Sequence, residues 1–152
     1  MIDTSRRARK RTAHTAGAGG DEKPDVLIVS RDFDTRSIFA TALRSAGYCV
    51  RELADPDQVV AAARDCTIVI TDFPTTTGSG KTVTSLLRSD PQSRNVAILN
   101  ATTHVWAEEL TEANTAGVDA TIILPAFPDR IVSCVRQLLQ NGIDAAVPPR
   151  EV

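Results

Sequence analysis

Residues 25–47 read DVLIVSRDFDTRSIFATALRSAG, and the order of types within them decides the fold. Val26 to Val29 is a continuous apolar run, the pattern of a strand covered on both faces rather than one. Immediately behind it the period changes. Ile38, Phe39, Ala42, Leu43 and Ala46 recur at helical spacing, with Asp34 placed to cap the start and Gly47 to stop the end. A buried strand feeding an amphipathic helix is one βα unit. A chain of such units builds a parallel sheet between two layers of helix.

Four more units follow outward from this one. Tyr48 to Leu53 is a second, less apolar strand suited to a sheet edge, and Asp55-Pro56 opens a short helix with Val59, Val60 and Ala63 inward. Thr67 to Thr71 is the third strand, followed by a loop from Asp72 to Gly80 and a helix carrying Val83, Leu86 and Leu87. Ser89-Asp90-Pro91 ends that helix. Val96 to Leu99 is the fourth strand, and a helix over 106–116 is stopped by Gly117. Thr121 to Leu124 is the fifth strand, and Pro128-Asp129 opens a last helix with Ile131, Val132, Val135, Leu138 and Leu139 on one stripe.

The ends of the chain lack any such pattern. Residues 1–24 hold Arg6, Arg7, Arg9, Lys10, Arg11 and Lys23 against Asp3, Asp21 and Glu22, a net of +3, while the remainder carries −5. The expected organisation is a disordered basic arm over 1–24, a folded domain over 25–141 and a flexible C-terminal tail over 142–152. At 152 residues, 42% apolar and 24% charged, the chain has enough material for one core without disulfide or metal staples. Aromatics make up only 4%, so that core is aliphatic. No apolar run approaches a bilayer span, and no apolar h-region follows the basic stretch. Cys49, Cys66 and Cys134 stand far apart with no CxxC spacing, which fits reduced thiols and a cytoplasmic setting.

In an open parallel sheet the working crevice lies beyond the carboxyl ends of the strands. Ser30, Arg31 and Asp32; Asp72 and Phe73; Asn100 and Ala101; and Leu124 and Pro125 occupy those ends. Around these residues the sequence resembles the receiver domains of two-component response regulators, over about residues 25–140. VLIVSRDFDTRSIFATALRSAGYCV (26–50) reads like the opening strand and helix, and TIVITDFPTTTGSG (67–80) has the length and final glycine of the phosphoacceptor strand and loop. GVDATIILPAFPDRIVSCVRQLL (117–139) is similar to the closing strand, its strand-end proline and the last helix.

The resemblance implies an α/β, flavodoxin-like (βα)5 three-layer sandwich with a five-stranded parallel sheet in the order 2-1-3-4-5. It puts Asp72 at the phosphoacceptor position, where a carboxylate oxygen attacks a phosphohistidine and forms an acyl phosphate. The family holds Mg²⁺ with an acidic pair after the first strand, and Ser30 and Arg31 stand there, followed by Asp32. A hydroxyl and a guanidinium do not replace two carboxylates around a cation that demands octahedral oxygen ligands. The family's lysine after the fifth strand is Leu124, though Pro125 is kept, and its switch hydroxyl after the fourth strand is Asn100. No cofactor is expected, Asp32 and Asp72 being the only carboxylates placed to touch Mg²⁺. Arg31 has two open roles, as a charge opposite Asp72 in place of the metal or as a solvent-directed side chain.

Other motifs lead elsewhere. Gly78-Ser79-Gly80-Lys81-Thr82 is a partial phosphate loop in which Thr75 stands where the motif needs its first glycine, and Thr75-Thr76-Thr77 resist the backbone of an amide nest. A small nucleotide-binding or phosphotransfer enzyme using Gly80, Lys81 and Thr82 is the alternative function. His14 and His104 have no paired ligands for a metal site. Trp106, near the start of the fourth helix, is expected to be half-buried. The arm's basic run without aromatics predicts solvation rather than specific nucleic-acid binding. The resulting expectation is a stand-alone receiver-like module, not an enzyme, working through protein contacts. Its implied partners are a histidine kinase, another signalling protein, or a second copy through the face of the fourth helix and fifth strand.

Overall fold

Continuous apolar runs and amphipathic stretches alternate along the chain as the sequence predicts. The computed structural model describes residues 25–72, 75–78, 81–103, 106–141 and 150–151. Its elements are β1 (Val26–Val29), α1 (Phe33–Ser45), β2 (Val50–Leu53), α2 (Val59–Ala63, entered through a 3-10 turn at Pro56–Gln58), β3 (Ile68–Thr71) and α3 (Val83–Ser89). There follow β4 (Ala97–Thr102), α4 (Ala107–Ala116), β5 (Ala120–Ile123), α5 (Pro128–Asn141) and β6 (Arg150–Glu151). All strand pairs are parallel, in the order β2-β1-β3-β4-β5-β6. The first five strands therefore take the expected 2-1-3-4-5 order of the flavodoxin-like sandwich.

The sixth strand is an addition. Arg150 and Glu151 lie beside Ala120 and Thr121 of β5, within the stretch 142–152 expected to be a flexible tail. An edge strand offers unpaired backbone groups, and a short extended segment brought back by α5 pairs with them whatever its side chains. The rest of that tail and the arm over 1–24 lie outside the described residues.

Every residue of β1 and β3 is buried, which is why these strands read as unbroken apolar runs. On one face Val26, Ile28, Ile68, Ile70, Leu99 and Ile122 pack under Phe39 and Leu43 of α1 and Ile131 and Val135 of α5. On the other, Leu27, Val29, Val69 and Ile98 pack under Val59, Val83, Leu87 and Ala113. Fully burying each aliphatic side chain contributes about 1.5–3 kcal/mol, so these two layers supply most of the driving force.

Three local expectations are corrected. Helix α1 begins at Phe33, and its N-cap is Asp32 rather than Asp34, which sits in the first turn instead. Ile38 faces out, 53% exposed, because the buried stripe runs through Phe39, Ala40 and Leu43 and leaves Ile38 on its flank. Trp106 is 67% exposed rather than half-buried. It precedes the first turn of α4, whose only buried residue is Ala113, so no helix face carries it inward.

Cys134 is buried in the layer under α5, and burial pushes its thiol up to about 11 despite the nearby Arg130. Cys49 and Cys66 are only partly covered. A thiol-reactive reagent at neutral pH is expected to modify Cys49 and Cys66 in the native protein and to reach Cys134 only after denaturant is added. Counting labelled thiols by mass with and without guanidinium checks this. Among the described residues no helix is long and apolar enough to cross a membrane.

Candidate functional site

The register of the sheet assembles the crevice. Ile28 pairs with Ile70, so two residues further along each strand Ser30 and Asp72 leave the sheet side by side. Thr71 pairs with Asn100, and Asn100 in turn with Thr121. Thr102 pairs with Ile123, which brings Leu124 to the same edge one residue later. Ser30, Arg31, Asp72 and Leu124 thus share one rim of the molecule.

The loop after β1 is held by three side chains. Arg36 donates from Nη1 to the Ser30 carbonyl at 2.8 Å and pairs with Glu52 at 3.6 Å, while Arg44 holds the other oxygen of Glu52 at 3.1 Å. The Asp32 amide donates to Ser30 Oγ at 3.1 Å. The Asp32 carboxylate accepts the Thr35 amide at 2.9 Å and also the Thr35 hydroxyl, which makes it the cap of α1. The Thr35 hydroxyl, its amide and then Arg36 hold the Asp32 carboxyl below its ordinary value.

That shift carries a sign. A carboxyl lowered in the folded state stabilises the fold above its ordinary value of 3.8 and loses the contribution as pH falls through the folded value. The urea midpoint of Asp32→Ala is therefore expected to lie below that of the native chain at neutral pH. The gap should close on acidification below 3.8, which paired unfolding curves across pH measure.

Arg31 is exposed, and its Nη2 reaches the Thr76 carbonyl at 3.5 Å, the outer limit of a hydrogen bond. Of its two open roles, the side chain thus follows a third course and leans on the loop after β3. Asp72 is half-buried, and its carbonyl accepts the Thr75 amide at 2.7 Å. Asn100 does not follow β4 but lies within it, because β4 runs on to Thr102. It is 1% exposed, and its Nδ2 donates to Thr121 Oγ1 at 3.4 Å. Leu124 is half-buried against the layer under α5, its amide on the Thr102 carbonyl at 2.8 Å, and the Leu124–Pro125 peptide is cis.

These donors do not fit a magnesium ion. Two or more carboxylate oxygens free to turn toward one point are needed, with no fixed cation beside them. Ser30 offers one hydroxyl, Arg31 brings a positive charge, Asp32 caps a helix and Leu124 has an apolar side chain, so of this set Asp72 is the one carboxylate that does not cap a helix. Among the described residues no group of three or more His, Cys, Asp or Glu comes together to hold a metal.

The described residues of the loop after β3 pair as a small hairpin. Thr76 bridges Thr82 in antiparallel fashion, Thr77 donates its amide to the Lys81 carbonyl at 2.9 Å, and Val83 donates to the Thr75 carbonyl. Thr82 Oγ1 accepts the Ser85 amide at 3.1 Å and so caps α3, the hydroxyl a phosphate loop would turn toward a nucleotide cation. Gly80, Phe73 and His104 lie outside the described residues. Asp57 fastens the hairpin by accepting the Gly78 amide at 2.7 Å.

Sequence reasoning missed Arg36, Asp57 and Thr121. Arg36 could have been found, since it follows Asp32 by one helical turn. Asp57 acts on Gly78 across 21 residues and leaves no local signal.

No protein-family model matches the sequence, and no curated protein matches it. Solved structures do. The chemotaxis response regulator CheY4 of Vibrio cholerae is 25% identical over 74% of this chain and 96% of its own, with a TM-score of 0.65. A response regulator from Desulfuromonas acetoxidans is 17% identical, over 76% and 95%, at 0.70. A CheY-like receiver domain protein from Methanospirillum hungatei JF-1 is 20% identical, over 80% and 97%, at 0.67. The structural neighbours are thus CheY-like response regulator receiver domains, and the chain has their fold.

Proposed function

We propose that the chain is a receiver-like module of phosphorelay signalling that works by binding other proteins, with Asp72 at the phosphoacceptor position and phosphotransfer weak or absent. One observation carries this reading. Ser30 and Asp72 leave adjacent strands side by side, yet the first carboxylate after β1, that of Asp32, is engaged as the cap of α1. An acyl phosphate forms when a carboxylate oxygen attacks phosphorus, and the charge gathering on the phosphoryl oxygens needs cationic or hydrogen-bonding partners. At this rim the cationic group is Arg31, directed at Thr76, and the lysine position is Leu124. On this reading Asp72 is the carboxylate that would react, and a guanidinium and an apolar side chain stand where it would need assistance.

The resulting module signals through its surface. Its partners are a histidine kinase or another signalling protein, or a second copy through the face of α4 and β5. Incubating the protein with acetyl phosphate and Mg²⁺ and measuring intact mass tests the reading. No adduct is expected. A stoichiometric adduct that Asp72→Asn removes would overturn the loss of phosphotransfer while keeping Asp72 as the acceptor, and an adduct that survives Asp72→Asn would remove Asp72 from the site.

A further inference from the structure

Three exposed aromatic side chains follow the strand ends at which the crevice opens. Phe33 is 64% exposed, Trp106 67% and Phe127 83%. Each stands four residues beyond the end of its strand, β1, β4 or β5, and in a parallel sheet those ends form one edge. A carboxylate accompanies each one, Asp34 after Phe33, Glu108 after Trp106 and Asp129 after Phe127, in the first turn of α1, α4 and α5. The acids have a local reason, since negative charge is favourable at a helix N-terminus. Of the three aromatics only Phe33 has a cationic partner among the described residues, Arg36, and exposing three of the six in a chain this poor in them calls for a covering group.

The chemistry of the rim selects a cation-rich segment. Arginine stacks on aromatic faces while its charge meets neighbouring carboxylates, and Arg36 already lies over the Phe33 ring at 5.6 Å. The chain carries its own such segment, five cations within Arg6–Arg11, while the remainder is acidic. Arg11 precedes Asp25 by fourteen residues, which span up to ~45 Å when extended. The four residues of β1 cover only ~13 Å from the lower edge of the sheet to the rim. Tethering also raises the local concentration of the segment into the millimolar range, enough to make several weak contacts hold together.

We propose that Arg6–Arg11 docks in cis on the aromatic and acidic rim formed by Phe33, Trp106 and Phe127. The proposal needs neither phosphorylation nor a signalling partner, so its failure leaves the function proposed above standing.

Trp106 is the only tryptophan, which makes its fluorescence a direct probe. The full chain is compared with a full-length variant carrying R6Q, R7Q, R9Q, K10Q and R11Q. At ~50 mM salt the native chain is expected to show shifted or quenched emission that relaxes at ~500 mM, where charges are screened, while the variant shows the relaxed spectrum at both. A synthetic peptide of residues 1–20, added to the variant, should restore the low-salt spectrum saturably, with an affinity falling about tenfold at high salt. Adding D34K, E108K and D129K to the variant should abolish the peptide's effect. Identical spectra of native chain and variant at low salt would sink the proposal, as would peptide binding that ignores the charge reversal. A spectral change that grows with protein concentration would assign the rim to a second copy instead. If the charge-reversed protein does not fold, the comparison of native chain with arm variant and the peptide titration still decide.

Discussion

Changing Arg88 to alanine is expected to lower the stability of the fold by about 2–4 kcal/mol, a large part of the total for a domain of this size. Arg88 leaves the last turn of α3 and satisfies four separate groups. Its Nε and Nη2 donate to the Gly117 carbonyl at 3.1 and 2.8 Å, and Nη1 donates to the carbonyls of Arg94 and Val96, both at 2.6 Å. Nη2 also pairs with Asp119 Oδ2 at 2.9 Å. That same carboxylate oxygen accepts the Ile98 amide of β4 at 2.7 Å. One guanidinium therefore ties the end of α3 to the entry of β4 and to the turn between α4 and β5. Its side chain is 23% exposed, so water replaces these partners only in part. Truncation leaves carbonyls unpaired under the surface, which costs more than the bonds themselves contribute. Lysine has one donor centre instead of a planar fork and should recover less than half of the loss. The turn itself permits no substitute. Gly117 has φ +115, and a Cβ there would lie 3.0 Å from Arg88 Nε, so Gly117→Ala is strained by its backbone and by the side chain it would displace. Urea unfolding of the three variants orders them, with Arg88→Ala and Gly117→Ala lowest. A shift in Arg88→Ala below about 1 kcal/mol would show the network to be solvated and dispensable.

Arg88 also marks where the sequence stops being readable. Its partners are backbone carbonyls six to twenty-nine residues away and a carboxylate thirty-one away, and nothing in the local pattern distinguishes it from an ordinary charged residue closing a helix. Val26–Val29 and Ile68–Thr71 were legible because burial on both faces writes itself into every position of a strand. The ends of helices were legible in kind but not in place. Asp32 and Asp34 are both good caps by type, and only the hydrogen bonds of Thr35 to Asp32 decide between them. Trp106 misled because average burial of tryptophan says nothing about a residue one position ahead of a helix with a single buried alanine. β6 left no side-chain trace, since a backbone edge pairs with backbone. For the crevice, sequence gave the residues and the register of the sheet gave their neighbourhood. The direction of the Arg31 side chain, toward a carbonyl 45 residues away, leaves no trace in the local pattern.

Restoring three side chains should test the crevice more severely than removing one. In a full-length variant carrying Ser30→Asp, Arg31→Asp and Leu124→Lys, Asp72 is expected to take up a phosphoryl group from acetyl phosphate in the presence of Mg²⁺, at a rate at least ~10²-fold above the native chain. The argument is electrostatic. Residue 30 lies beside Asp72 at the strand ends, so a carboxylate there and another at residue 31 put oxygen ligands where the native rim has a hydroxyl and a guanidinium. Removing the Arg31 guanidinium also frees the Thr76 carbonyl and deletes the positive charge that competes with a cation. A lysine at residue 124, at the edge reached by β5, supplies a donor for the phosphoryl oxygens. Asp32 stays as the cap of α1, so the helix behind the new ligands is undisturbed. Three clustered carboxylates repel one another without a counterion, and Mg²⁺ should therefore raise the melting temperature of the variant and leave that of the native chain unchanged. The two readings separate the ways of failing. A variant that Mg²⁺ stabilises but acetyl phosphate does not modify has gained a metal site next to an unreactive Asp72, which removes that residue as acceptor. A variant that Mg²⁺ does not stabilise shows that residues 30, 31 and 72 do not face one point, and the receiver-like reading of the crevice goes with it. Modification that disappears on adding Asp72→Asn would mean that three substitutions alone separate this rim from a working phosphoacceptor.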